Sequence, residues 1–354
     1  MSTAVPRTAL APNYTISRIL KGGWQLAGGH GRVARAQALV DMAAFADAGI
    51  TSFDCADIYT GVEELIGAFI ATRPPGTIQV HTKCVPDLDR LSELTRDEIA
   101  ALVDRSRARL GVDALDLVQL HWWDYTLGDW FGALSMLADE RARGAVRHLG
   151  VTNFGTPHLQ RMLDAGLPVL SHQLQYSLLD RRPARAMAAL CAAHGVGLLS
   201  YGALAGGFLH RRWLGVAEPH PPAVNLENRS LVKYKLIIDD CGGWSRFQEL
   251  LLLLDAIARR HGVGIGTVAI RWVLDQPGVA GVIAGARNAT HLDETLAAAR
   301  LAFSARDRAE IAAFLEDYGT PEGDVYALER DRDGRHGRIM RYNLNTVTGA
   351  ASGP

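Results

Sequence analysis

Short aliphatic or β-branched runs recur along the chain, each followed by turn residues and then by a longer segment whose apolar positions repeat at mixed spacings of three and four. Such alternation marks βα units: the short runs read as strands buried on both faces, the longer segments as helices covering them. Strands are predicted over Ile19 to Trp24, Thr51 to Asp54, Thr77 to Lys83, Leu115 to His121, Val146 to Val151, Val169 to Gln173, Gly197 to Tyr201 and Gly281 to Gly285. Helices include Arg35 to Ala48, Arg96 to Leu110, Pro183 to His194 and Phe247 to Arg260. Gly49, Gly111, Gly166, Gly195 and Gly262 follow five helical segments, where a left-handed residue ends the last turn. About eight strands is the number that closes a (β/α)8 TIM barrel, an α/β fold. A β-hairpin is expected at the N-terminus, long loops at the rim, one barrel domain over residues 1–320, and a C-terminal extension over 321–354.

Two stretches break the rhythm. Gly206 to Gly243, with Pro219, Pro221 and Pro222, reads as a long loop without clear periodicity, and so does the tail from Pro321 to Pro354. Barrel insertions of this length usually decorate the catalytic rim. The tail reads equally as a cover over that rim or as a solvated appendage.

Composition narrows the function. Lys and Arg number 37 against 38 Asp and Glu, so no large basic field exists to attract nucleic acid or anionic lipid, and small molecules are the expected partners. Residues Met1 to Leu20 never sustain the apolar core of a signal peptide, and the run Leu250 to Leu254 is far too short to span a bilayer. A cytoplasmic location without membrane contact is expected. Cys55, Cys84, Cys191 and Cys241 are scattered without metal-ligand spacing, so they read as reduced, buried thiols, with no metal site.

In a parallel barrel all strand C-termini open on one face, where barrel enzymes build their sites. Asp54 ends the second predicted strand with Tyr59 on the following turn; Lys83 ends the third and His121 the fourth. Thr152 and Asn153 follow the fifth, Gln173 ends the sixth and Tyr201 the seventh. A phenol with an ordinary pKa near 10 is a weak acid at neutral pH, and a nearby ammonium lowers that value. Lys83 supplies the ammonium, Asp54 holds it, and a neutral His121 donates to a substrate oxygen. This set polarises and protonates a carbonyl, but holds no serine or cysteine nucleophile and no second carboxylate. The electron pair must therefore come from a cofactor, and a nicotinamide hydride fits best. Taken singly, each residue has an equally good ordinary explanation as rim ion pair, loop cap or core histidine; the constellation carries the reading.

Phe53-Asp54-Cys55-Ala56-Asp57-Ile58-Tyr59 with Glu63-Glu64-Leu65-Ile66-Gly67, then His81-Thr82-Lys83, then Leu117-Val118-Gln119-Leu120-His121 resemble, in order, the motifs of the aldo-keto reductase family. The resemblance covers nearly the whole chain. It implies Tyr59 as proton donor, Lys83 tuning its pKa, Asp54 supporting Lys83 and His121 orienting the carbonyl. Gly150-Val151-Thr152-Asn153-Phe154 and His172-Gln173-Leu174-Gln175-Tyr176-Ser177 imply that Asn153 and Gln173 bind the nicotinamide carboxamide, with Thr152 adjacent. Tyr201 would stack on the ring, within a segment that also brings Gly202 and Leu204 to the cofactor.

Ile283, Gly285, Ala286 and Arg287, followed by His291, Glu294 and Thr295, resemble the eighth strand and helix start that hold the adenosine phosphates. His291 stands where many relatives place another basic residue, and Thr295 where an asparagine is common. With Arg287 compensating, NADPH/NADP+ is the expected cofactor, ahead of NADH. Gly264-Ile265-Gly266-Thr267-Val268-Ala269 spells G-x-G-x-x-A, but it follows a helix and reads as helix packing.

For the substrate, a small carbonyl compound or its alcohol, the expected aromatic walls are Trp24, which is also expected at the cofactor, Trp122, Trp123 and Tyr125, with Trp130 nearby. Trp122 and Trp123 cannot both face inward if the strand continues. Trp213, Tyr234, Trp244 and Tyr326 add further aromatic surface from the insertion and the tail. Two competing functions remain: a redox-sensing regulatory subunit that binds NADP(H), and a barrel lyase or isomerase with Lys83 as Schiff base.

Overall fold

The computed structural model describes residues 5–29, 31, 33–219, 226 and 228–345. Two antiparallel strands, β1 (Arg7–Ala11) and β2 (Tyr14–Ser17), form the expected hairpin. Eight parallel strands then close the barrel: β3 (Ile19–Gly22), β4 (Ser52–Asp54), β5 (Gln79–Cys84), β6 (Leu115–His121), β7 (Val146–Thr152), β8 (Val169–Gln175), β9 (Gly197–Tyr201) and β10 (Val279–Gly285). Each pairs with its sequence neighbour, and β10 returns to β3, so the fold is a (β/α)8 barrel. The predicted strands differ only at their ends, with one consequence: Trp24 leaves β3 for a 3-10 turn over Trp24–Leu26.

Helices α1 (Arg35–Asp47), α2 (Val62–Ile70), α3 (Arg96–Leu110), α4 (Trp130–Ala142), α5 (Thr156–Asp164) and α6 (Ala186–His194) alternate with the strands. Helix α3 starts on a reciprocal Thr95–Glu98 capping box and stops at Gly111, whose φ of +66° is open to glycine at no steric cost. Beyond β9 come α7 (Arg229–Asp240), α8 (Gly243–His261), α9 (Ile265–Leu274), α10 (Leu292–Arg300), α11 (Ala305–Asp317) and the short α12 (Ala327–Arg330). The G-x-G-x-x-A segment opens α9 directly after α8, with no strand before it, as expected of helix packing.

Helix α7 corrects the expectation of a long irregular loop over Gly206 to Gly243. Its signal was present: Asn228 caps the Leu231 amide, and Leu231, Tyr234, Ile237 and Ile238 repeat on one buried face. The preceding prolines masked it. Pro221 and Pro222 lie outside the described residues, as do 346–354 of the tail.

The apolar faces of the helices pack on the outside of the strands. The hairpin plugs the end where the strands begin: Tyr14 and Ile16 pack on Leu20, Leu117, Leu199 and Ile283, and the Tyr14 hydroxyl bonds His81 Nε2 at 2.9 Å. The opposite end stays open. The registers Lys83↔Gln119, His121↔Thr152, Thr152↔Gln173 and Gln175↔Tyr201 bring those C-terminal residues to one level.

Candidate active site

The open end leads into one cavity of about 960 Å3. Asp54, Tyr59, Lys83 and His121 all line it, so four distant segments converge as the strand geometry predicts. At the centre, Lys83 Nζ lies 2.9 Å from both Asp54 carboxylate oxygens and 2.8 Å from the Cys55 carbonyl. Three oxygen acceptors thus hold the ammonium. Lys83, 5.2 Å above the phenol ring, acts on Tyr59 chiefly through its charge and also through a side-chain hydrogen bond, both of which favour the phenolate. Burial works against the lysine charge, but Asp54 outweighs it and holds the Lys83 pKa above its ordinary value. An amine held charged is no nucleophile, which removes the basis for a Schiff-base mechanism.

For Tyr59, burial raises the pKa, Lys83 pulls it down, and the net direction is upward. The expectation that Lys83 brings this phenol below its ordinary pKa is therefore corrected: desolvation wins, and Tyr59 stays protonated at neutral pH. His121 is pushed down to about 3 by burial, with the Arg330 charge adding to it, so its ring is neutral. Its Nδ1 is 3.4 Å from the Thr152 carbonyl, a contact that needs the proton on Nδ1. Donation from Nε2 to a substrate requires the other tautomer, and a bond this long is given up at little cost.

Thr152, Asn153, Gln173, Tyr201, Gly202 and Leu204 line the cavity beside the tetrad. Gln173 donates its side-chain amide to Asp54 at 2.6 Å, which turns its carbonyl oxygen into an available acceptor. Asn153 accepts the Tyr201 hydroxyl at 2.9 Å, which leaves its amide nitrogen as an available donor. One donor and one acceptor side by side match a primary carboxamide. Asn153 holds this pose with φ +63°, an uncommon left-handed conformation that asparagine tolerates better than most residues. Ile283, Gly285, Ala286, Arg287, His291, Glu294 and Thr295 line the far end, where His291 Nδ1 lies 3.7 Å from a Glu294 oxygen. The Thr295 hydroxyl is committed to the His291 carbonyl at 3.0 Å.

The aromatic residues divide. Trp24 and Trp123 line the cavity, with the Trp24 ring 5.1 Å from Tyr59 and Trp123 edge-on to His121 at 4.2 Å. Trp122 and Tyr125 do not, which corrects their reading as substrate walls. Trp122 points the opposite way from Trp123, fully buried, with its indole N–H on the Leu127 carbonyl at 3.1 Å. Tyr125 stacks on His158 at 3.5 Å and accepts the Gly155 amide. Trp130, Trp213 and Trp244 also pack in the apolar clusters.

Tyr234 and Tyr326 line the cavity, as expected of aromatic surface from insertion and tail, but sequence reading missed Arg212, Arg229, Ser230, Lys233, Met340 and Arg341, which line it beside them. Arg330 secures the tail: the guanidinium lies 3.9 Å over the Tyr125 ring and donates to the backbone carbonyls of Trp122, Trp123 and Asn153. This clamp sets Tyr326 edge-on to His121 at 5.5 Å, with φ +61°. The only available signal was composition, since irregular chain carries no period.

Among the described residues no group of histidines, cysteines or carboxylates has the makings of a metal site, all four cysteines are free and buried, and no helix is long and apolar enough to cross a membrane.

Comparison with known proteins agrees with this fold. The model of the aldo/keto reductase family matches residues 18–316. Flagellar radial spoke protein 5 of Chlamydomonas reinhardtii is 30% identical over 257 residues, 62% of this chain and 49% of that protein, so the chain spans about half of that relative's length. The NADH-specific methylglyoxal reductase of Escherichia coli strain K12 is 24% identical over 86% of this chain and 97% of its own. A crystal structure of a thermostable aldo-keto reductase with the inhibitor epalrestat superposes with a TM-score of 0.67 at 24% identity, over 87% of this chain and 99% of that one, a likeness of fold.

Proposed function

The chain belongs to the aldo/keto reductase family, and from that premise we propose that it is an NADP(H)-dependent oxidoreductase that interconverts a small aldehyde or ketone and its alcohol. The observation that carries the cofactor is the Asn153–Gln173 pair, whose available donor and acceptor complement a nicotinamide carboxamide. Tyr201, tied to Asn153, would place its ring against the nicotinamide. Arg287 and His291 at the far end suit an anion and favour NADPH, with NADH as the weaker ligand.

When bound, the nicotinamide supplies a hydride to the carbonyl carbon. The chain supplies the proton. Tyr59 keeps its hydroxyl protonated at neutral pH and passes that proton to the carbonyl oxygen, giving the alcohol. The phenolate left behind faces the Lys83 ammonium, which steadies it until solvent returns a proton. Neutral His121, in its Nε2–H tautomer, orients the carbonyl oxygen.

The test is carbonyl-dependent oxidation of NADPH and NADH across aldehydes, ketones and sugars, with Tyr59→Phe as control. Wild type should turn over at least one class, and the variant should lose about two to four orders of magnitude in kcat with cofactor affinity nearly unchanged. Equal turnover by the variant would remove Tyr59 from its role. Cofactor binding without turnover anywhere would favour the sensing subunit.

A further inference from the structure

The cavity is strongly cationic in a nearly neutral chain. Lys83, Arg212, Arg229, Lys233, Arg287 and Arg341 line it against Asp54 and Glu294, whereas the net charge of the whole chain is −1. Most of these cations have an assignment: Lys83 pairs with Asp54, Lys233 lies 3.4 Å from Glu329, Arg212 lies 5.1 Å over the Trp213 ring, and Arg287 stands with His291 at the far end. Arg229 and Arg341 remain.

Their setting is unfavourable as it stands. Arg229 is the first residue of α7, where the helix end carries a partial positive charge of its own. Its guanidinium donates to the Ile339 carbonyl, and no carboxylate pairs with it or with Arg341 among the described residues. Burial and then the charge of Arg341 push the Arg229 pKa down, so the two guanidinium groups feel each other across the cavity wall. Two like charges beside a positive helix end lower their energy when an anion sits between them.

Arg229 also adjoins the residues around Tyr59. Ser230, next to Arg229, faces the Trp24 indole N–H at 3.4 Å, and that indole packs on Tyr59. Resting on the reductase reading above, we infer that the carbonyl substrate carries a carboxylate or phosphate, and that Arg229 and Arg341 grip it at the cavity mouth. A guanidinium suits either anion because it donates two parallel hydrogen bonds.

The experiment compares kcat/KM for 4-formylbenzoate against benzaldehyde, and for glyceraldehyde 3-phosphate against glyceraldehyde. Wild type should prefer the anionic member of at least one pair by about tenfold or more, the worth of one good charge-assisted contact, and the preference should shrink with added salt. Arg341→Glu should abolish or reverse the preference and Arg341→Ala should reduce it several-fold. Arg341 is exposed at the rim, so its replacement spares the core, and Arg229→Ala serves as the second variant. Equal use of both members of each pair by wild type, or a preference that survives Arg341→Glu, overturns the inference. So does a weaker dissociation constant for NADPH in Arg341→Glu with the substrate preference intact, because the pair would then hold the dinucleotide phosphates. Should wild type turn over none of the four, the reductase reading fails first. The same pairs are then read as ligands by quenching of Trp24 and Trp123 fluorescence: tighter binding of the anionic member, lost in Arg341→Glu, upholds the anion site, and equal binding overturns it.

Discussion

Two buried charge clusters flank the cavity, and they are built in opposite ways. Asp54 and Lys83 sit at the ends of adjacent barrel strands, 4% and 6% exposed, with the ammonium held by three oxygen acceptors. The second cluster joins Asp180 and Arg182 from the loop after β8, Lys233 from α7 and Glu329 from α12. Arg182 grips Asp180 in a fork at 2.6 and 2.9 Å and reaches Glu329 at 3.4 Å. The first cluster aims a charge at a phenol; the second ties insertion and tail to the barrel. Burial of equal depth thus flanks the proposed proton donor in one place and holds separate segments together in the other, and the neighbours decide which.

The sharpest way to break this contrast is Lys83→Met. It should lower kcat by about two to four orders of magnitude and cost about 3–5 kcal/mol in denaturant unfolding, because Asp54 is left buried with only the Gln173 amide. Adding Asp54→Asn should restore most of the stability and none of the turnover. A double variant that regains activity would make the pair merely structural.

Glu329→Ala should cost about 3 kcal/mol, since it leaves Lys233 and Arg182 facing each other. Its signature is faster proteolysis within residues 321–345 and a raised KM. Loss of kcat alone, with the tail still protected, would erase the distinction between the clusters.

The pH dependence of stability sharpens the same point. Burial opposes the Glu329 charge, but Lys233 and Arg182 overcome it and hold its pKa at about 2, below an ordinary carboxylate. A depressed pKa stabilises the folded state above the unfolded value and loses that contribution as pH falls through about 2. Over that window the group should account for about 3 kcal/mol, measured by denaturant unfolding at each pH. Glu329→Gln should flatten the slope; an unchanged slope would assign it to other carboxylates.

The smallest effect is expected at the far end, outside both clusters. Arg287→Ala should weaken NADPH by about tenfold and NADH much less, read by fluorescence titration. Parallel losses would mean that Arg287 does not read the 2′-phosphate.

Legibility in the sequence followed the same division. The tetrad was readable because strand periodicity puts Asp54, Lys83 and His121 at strand ends, and parallel closure puts those ends together. Trp122 and Trp123 show the limit: period-two logic says that one faces in, and only packing decided that it is Trp123. Tyr125 fell to a stacking partner 33 positions away, His158. Arg330 had no period to betray it, since its place depends on carbonyls just beyond the ends of β6 and β7.

By itself the chain's alternation determined the barrel, the face on which chemistry collects and the residue types at that face, because hydrophobic period and chain direction are local properties that closure merely adds up. Tertiary structure alone decided the direction in which the Tyr59 pKa moves, which of Trp122 and Trp123 lines the cavity, and which tail and insertion residues join it there. Those depend on desolvation and on contacts between segments far apart in sequence, and neither is written in any single window of residues.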